Sequence, residues 1–278
     1  MTQNKGLLVD PRERVRVAGI IGYTVRNPDG DWTKWLPDGE KQSNGIDTMA
    51  CVSFSLLNCI ETQEYFLTGK QVNYSDRWLA KISGTTKQGN YLVSVAEAVN
   101  QYGLVREESW LPPDLDNYTW EQYYAEPGPA KHKELLAEGQ EWLKTHKFQY
   151  EWLTTDRDEI LKQLKQCPLQ VCIPGHAIMN FYSYVDVIHF FDSYDPFWKE
   201  TQRINLTNVF KPLLTIKKMR FVNDKGTVWL VGDKGKIGFT DMQALQKMQQ
   251  IDSSEVEQGS TEGIPVVGLF ESGLTFHN

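Results

Sequence analysis

The chain has 278 residues, 40% of them hydrophobic and 12% aromatic, enough to bury a sizeable core in one large domain or in two lobes that share a cleft. A formal net charge of -7 argues against nucleic acid or an anionic membrane surface as a partner held by bulk electrostatics, since both require a basic face. No run of 18 apolar residues is present, and residues 1–15 lack the apolar centre of a signal peptide, so neither a membrane span nor a cleaved leader is expected.

Residues 14–25 (RVRVAGIIGYTV) alternate and then run apolar, which predicts an N-terminal strand. Turn residues dominate 26–46, where NPDG, PDG and NG occur, and lead into DTMACVSFSLLNCIE at 47–61. No charge falls between Cys51 and Ile60, and Val52, Phe54, Leu56, Leu57 and Ile60 lie all round a helical wheel. That pattern predicts a helix buried on nearly every side. Asp47 and Thr48 are cap-type residues, which places Cys51 in the first turn, where the positive end of the helix favours a thiolate over a thiol. Cys51 is equally compatible with plain packing as one small apolar residue among others.

Ser75 is the predicted cap of a short helix that carries Trp78, Leu79 and Ile82 and stops at Gly84. Residues 92–102 (LVSVAEAVNQY) have helical spacing, with Gly103 as the stop. A proline-rich excursion over 112–130 precedes a charged amphipathic helix from about Ala130 to Thr145. From Phe148 strands dominate: FQYEWL, then a helix capped by Asp156 with Glu159 completing a capping box, then LQVCI. HAIMNFYSYV and VIHFFDSY, joined near Asp186, read as a long antiparallel pair. RINL, LTIKKMRFV, GTVWLVG and KIGF extend this β half, followed by a short helix capped at Thr240 or Asp241. IPVVGLF is expected to dock as a strand of the tail.

A cysteine nucleophile needs a base and a group to orient that base, and both come from distant sequence. His176 opens a strand after Pro174-Gly175, and Asp192 closes the next strand, so a hairpin would bring carboxylate and imidazole together. His189, in mid-strand among Val187, Ile188, Phe190 and Phe191, reads as structural. Cys59, Cys167 and Cys172 sit among apolar neighbours, CPLQVC does not have zinc-site spacing, and no metal or organic cofactor is expected.

Several segments, in order, resemble the papain-like cysteine peptidases. Cys51-Val52-Ser53-Phe54-Ser55 is similar to the family's Cys-Trp-Ala-Phe-Ser signature, and YSDRWL with QGN at 88–90 to the serine-rich segment and glycine pair before the next helix. AEAVNQYGLVREESWLP resembles the helix, glycine and proline passage, CPLQVCI and HAI the strands around the histidine, and Asp192-Ser193-Tyr194 stands where the family has Asn-Ser-Trp. Cys51 and His176 are 125 positions apart, just under the separation of about 130–150 given for the family.

The resemblance implies an α+β, two-lobed papain-like fold over residues 1–250. The helical lobe would span about 26–130, the antiparallel β-rich lobe about 146–250 with the strand 14–25, and a tail 251–278 would follow. It implies hydrolysis of peptide or amide bonds by Cys51, His176 and Asp192, with a peptide or protein as substrate. Gly45 stands six residues before the cysteine, where the family has its oxyanion glutamine, which leaves Asn44 or Gln42 for that role. Gly89 and Trp78 are the expected substrate-binding walls. An inactive relative serving a larger assembly and a cell-wall amidase are the alternatives. VWLVGDKGKIGFTDMQALQKM is similar to a small module of bacterial surface and phage proteins, so the expected location is cytoplasmic or in a virion.

Overall fold

A computed structural model describes residues 4–9, 24–112, 117–216, 220–224, 227–232, 235–239, 256–258 and 266–270. The strand expected over 14–25, apart from its last two residues, and the helix expected at Thr240 or Asp241 lie outside them. Two compact units divide at Ile216, earlier than the boundary expected near residue 250. Among the described residues, no helix is long and apolar enough to cross a membrane.

The first unit begins with β1 (Ser43–Asn44) and β2 (Ile46–Asp47), a tight antiparallel pair that hands the chain to α1 (Cys51–Thr68). Residues 51–64 of α1 are all buried, as the all-round apolar pattern predicts. Gly69, left-handed at φ 70°, ends the helix. Then come α2 (Asp76–Ile82), α3 (Leu92–Tyr102), the single turn α4 (Trp120–Tyr123) and α5 (Pro129–Thr145). Ser75 caps α2 by accepting from Trp78 N, and Gly103 stops α3. The strand half holds β3 (His146–Leu153), α6 (Arg157–Leu164), β4 (Leu169–Ile173), β5 (His176–Tyr184), β6 (Val187–Phe191), β7 (Trp198–Gln202) and β8 (Asn208–Ile216).

These strands form one antiparallel sheet in the order β3-β8-β4-β5-β6-β7. RINL, expected as a strand, forms a 3-10 turn over Arg203–Asn205 between β7 and β8. Asp156 caps α6 through Asp158 N and Glu159 N, but Glu159 reaches back to Thr154 rather than closing a capping box on Asp156. The second unit is a five-stranded sheet of β9 (Arg220–Asp224), β10 (Thr227–Gly232), β11 (Gly235–Phe239), β12 (Val256–Gln258) and β13 (Val266–Phe270), ordered β12-β9-β10-β11-β13. The expected docked strand is β13, parallel to β11, and β12 pairs in parallel with β9, so the described residues of the expected tail are strands of this unit.

Helix α1 lies on the large sheet through an apolar cluster that joins Val52, Leu56, Leu57 and Ile60 to Ala177, Phe210 and Leu214. Two buried glutamines fix its seat. Gln170 Nε2 on β4 donates to Val52 O at 2.9 Å and Ser55 Oγ at 2.8 Å. Gln63 Nε2 donates to Pro212 O at 2.8 Å and its Oε1 accepts from Leu214 N at 3.0 Å. β4 starts at Leu169, just after Pro168, so Gln63 completes the β8 ladder where the neighbouring strand is absent.

Gln63→Leu would strand those two buried backbone groups, each worth about 1–3 kcal/mol when left unmade. The variant is expected to lose about 2–4 kcal/mol of unfolding free energy in urea with an unaltered m value. A loss under about 0.5 kcal/mol, typical of an inconsequential surface change, would remove this role.

Candidate active site

Cys51 is the first residue of α1, and Ala50 precedes it as a cap that makes no side-chain bond. Neither Asp47 nor Thr48 is the cap. Asp47 Oδ1 instead accepts from Met49 N at 2.9 Å, and the helix begins beyond both expected caps, at Cys51. Met49 takes a left-handed φ of 55°, and the sharp entry sets the Cys51 side chain against β5. There Ala177 N donates to Cys51 Sγ at 3.4 Å, so the sulfur lies beside the strand that His176 opens.

The β5–β6 hairpin does bring His176 and Asp192 together. His176 Nε2 is 2.6 Å from Asp192 Oδ1, and both side chains are buried. An ionised carboxylate can only accept, so Nε2 carries the proton and Nδ1 is the basic lone pair of the neutral ring. Nδ1 is itself buried and has no hydrogen-bond partner among the described residues. Tyr194 covers the pair with its ring centre 5.5 Å from that of His176, and its hydroxyl donates to Asp47 Oδ2 at 2.5 Å. His189 lies elsewhere on the sheet, against Tyr182 and Phe181.

Of the two expected oxyanion donors, Gln42 is fully buried at this centre. Its Nε2 lies 2.8 Å from Asp47 Oδ1, 2.8 Å from Tyr194 Oη and 3.0 Å from Lys5 O, and its Oε1 accepts from Ser193 Oγ. Asn44 instead lines a neighbouring cavity of about 450 Å³ with Glu40, Phe54, Asp76 and Glu107. Trp78 is not a cleft wall. It is 1% exposed and closed in by Val105, Trp110 and Leu135, with the His132 ring at 5.7 Å, because α2 turns that face toward α5. Gly89 packs on the backbone of Gly6, a role composition could not reveal.

Residues 4–8 form a strap across the site. Lys5 N donates to Gly175 O at 2.8 Å, Asn90 N to Gly6 O at 2.8 Å and Leu8 N to Asn90 O at 2.9 Å. Lys5 Nζ sits 4.3 Å above the Tyr194 ring, and Leu7 joins the apolar cluster that contains Cys51. Under this cover Cys51 is 0% exposed and His176 2%. Burial pushes the Cys51 thiol up to about 12, against the lowering by the Ala177 amide, and Asp47 and Asp192 add to the rise. Desolvation outweighs the helix terminus that was expected to ionise it. Burial also pushes the Asp192 carboxyl up, but His176 and Lys199 together hold it below its ordinary range. Among the described residues no group of His, Cys, Asp and Glu could hold a metal ion.

A Cβ on Gly6 would meet Met49 O at 2.1 Å, and one on Gly89 would meet Gly6 O at 2.0 Å. Gly6→Val, with φ of 111° as a further strain, is expected to lift the strap and speed iodoacetamide labelling of Cys51 about tenfold or more, the factor given by about 1.4 kcal/mol. Cys59, Cys167 and Cys172 serve as internal references. Identical Cys51 labelling in variant and wild type would mean that the strap does not control access.

No protein-family model matches the chain, and no curated protein matches it at a significant level. Solved structures do. The cysteine protease Amb a 11, a ragweed pollen allergen in its proform, is similar over 68% of this chain and 67% of its own, with a TM-score of 0.50 at 16% identity. Digestive procathepsin L 3 of Tenebrio molitor larval midgut aligns over 66% of this chain and 68% of its own, with a TM-score of 0.48 at 14% identity. The Carica candamarcensis cysteine protease CMS1MS2 aligns over 66% and 96%, with a TM-score of 0.46 at 12% identity. A helix seated by its cysteine end on an antiparallel sheet thus has the α+β fold of the papain-like cysteine proteases.

Proposed function

We propose that the protein is a cysteine peptidase. Cys51 Sγ gives its proton to His176 Nδ1 and attacks the carbonyl carbon of a peptide bond. The tetrahedral oxyanion is held by the Cys51 amide, one of the N–H groups a helix leaves without an intrahelical acceptor, and by the Gln42 side-chain amide. His176 then protonates the leaving amine, and a thioester remains. Water, deprotonated by the same imidazole, releases the acid and restores the thiol. Asp192 fixes the tautomer that leaves Nδ1 as the base and stabilises the imidazolium.

The observation that carries this reading is the His176–Asp192 contact of 2.6 Å, with Nδ1 unbonded among the described residues and Ala177 N on Cys51 Sγ. Gln42 Nε2 already faces a peptide carbonyl, that of Lys5, as an oxyanion donor would. The strap must leave before a substrate enters, and the groove it vacates suits an extended peptide or protein segment bound through its main chain.

A second reading, a catalytically silent component of a larger assembly, is favoured by the complete burial of Cys51 and its raised thiol. Residence in a virion or the cytoplasm would go with that reading. Turnover separates the two. Wild type, Gly6→Val, Cys51→Ala and His176→Ala are to be compared on a fluorogenic peptide panel and on purified peptidoglycan, the second substrate testing for an amidase. Either triad substitution is expected to lower kcat by about 10⁴ or more, as loss of a triad member does elsewhere. Equal rates for Cys51→Ala and wild type would overturn the assignment. Silence on both substrates, with and without the strap, would favour the assembly component.

A further inference from the structure

Asp192 is gripped from two sides. His176 Nε2 takes Oδ1 at 2.6 Å, and Lys199 Nζ takes Oδ2 at 2.7 Å while also donating to Tyr194 O at 2.9 Å. Lys199 lies on β7, opposite Phe190 of β6, seven residues beyond the carboxylate it holds. Its side chain is 26% exposed, against 3% for that of Asp192.

We propose that Lys199 is a positioning residue of the candidate triad. It locks the Asp192 rotamer and the main chain at Tyr194, and its charge offsets that of Asp192, so the imidazole meets an orienting acceptor of nearly neutral sum. The inference rests on the peptidase reading of Cys51, His176 and Asp192. An aspartate where the resembled family has an uncharged asparagine would otherwise place a full negative charge on a buried imidazole and bias it toward imidazolium. The other charged or titratable groups facing this centre are Cys51 of α1, Asp47 of β2 through the Tyr194 hydroxyl, and Lys5 of the strap over the Tyr194 ring. Lys199 Nζ holds Asp192 Oδ2, the carboxylate oxygen that His176 leaves open.

Lys199→Met removes both the charge and the donors, Lys199→Gln keeps a donor without the charge, and Lys199→Arg keeps both. In the strap-released background of Gly6→Val, Lys199→Met is expected to move the acidic limb of the kcat/KM profile, where the His176 base is lost to protonation, up by roughly one pH unit, allowing for the partial exposure of the ammonium. Lys199→Arg should retain the parent profile. The His176 ring resonance of ¹³C-histidine-labelled protein, followed against pH, should move in the same direction and needs no turnover. A parent without turnover would therefore count against the peptidase reading, while a displaced ring titration would still support Lys199. Lys199→Gln stands in should the methionine variant fail to fold, with the same displacement expected. Parent-like titration in the methionine and glutamine variants, or an arginine variant that behaves like methionine, would overturn the proposal.

Discussion

Gln63 and Gln170 tie α1 to the sheet with hydrogen bonds placed where water cannot substitute for them, and the apolar cluster around Leu56, Leu57 and Ile60 closes the rest of the contact. A helix buried through four turns cannot slide or rotate without exposing apolar surface and breaking those bonds. Its first residue is therefore held in place against β5, and β5 is the strand that His176 begins. The seat of the sulfur against Ala177 N is thus a result of core packing.

Polar contacts finish the centre. Gln42, Asp47, Ser193 and Tyr194 are mutually bonded and buried or half-buried, joining the loop before α1 to the loop after β6. Each donor in that set has an acceptor, so the two loops that flank Cys51 and His176 are held to one geometry. Asp192 belongs to the same web through His176 and Lys199.

Much of this was legible from the residues because the physics behind it is local or periodic. The all-round apolar run predicted a buried α1, Ser75 and Gly103 marked helix ends, and two β-branched and aromatic runs announced the hairpin that unites His176 with Asp192. The errors have physical causes as well. Asp47 looks like a cap but is spent on Met49 N, Gln42 and Tyr194, so the helix starts without one. Trp78 has the composition of a cleft wall and the packing of a core ring. RINL has strand composition but sits at a corner between two strands. Lys199 was invisible because only the β6–β7 register carries it to Asp192. The strap left almost no trace, since backbone atoms make most of its bonds and no side-chain pattern records them.

Those main-chain bonds have a kinetic meaning. Residues 4–8 are covalently joined to the site they occupy, and such a tethered ligand acts at an effective concentration that reaches the millimolar range for short linkers. If the site takes peptides as proposed, one offered at micromolar levels would compete against that local excess and lose unless its own affinity were far greater. On the peptidase reading, the covered site would answer partners that first pry the chain's own segment away, and would ignore dilute peptides that merely diffuse past.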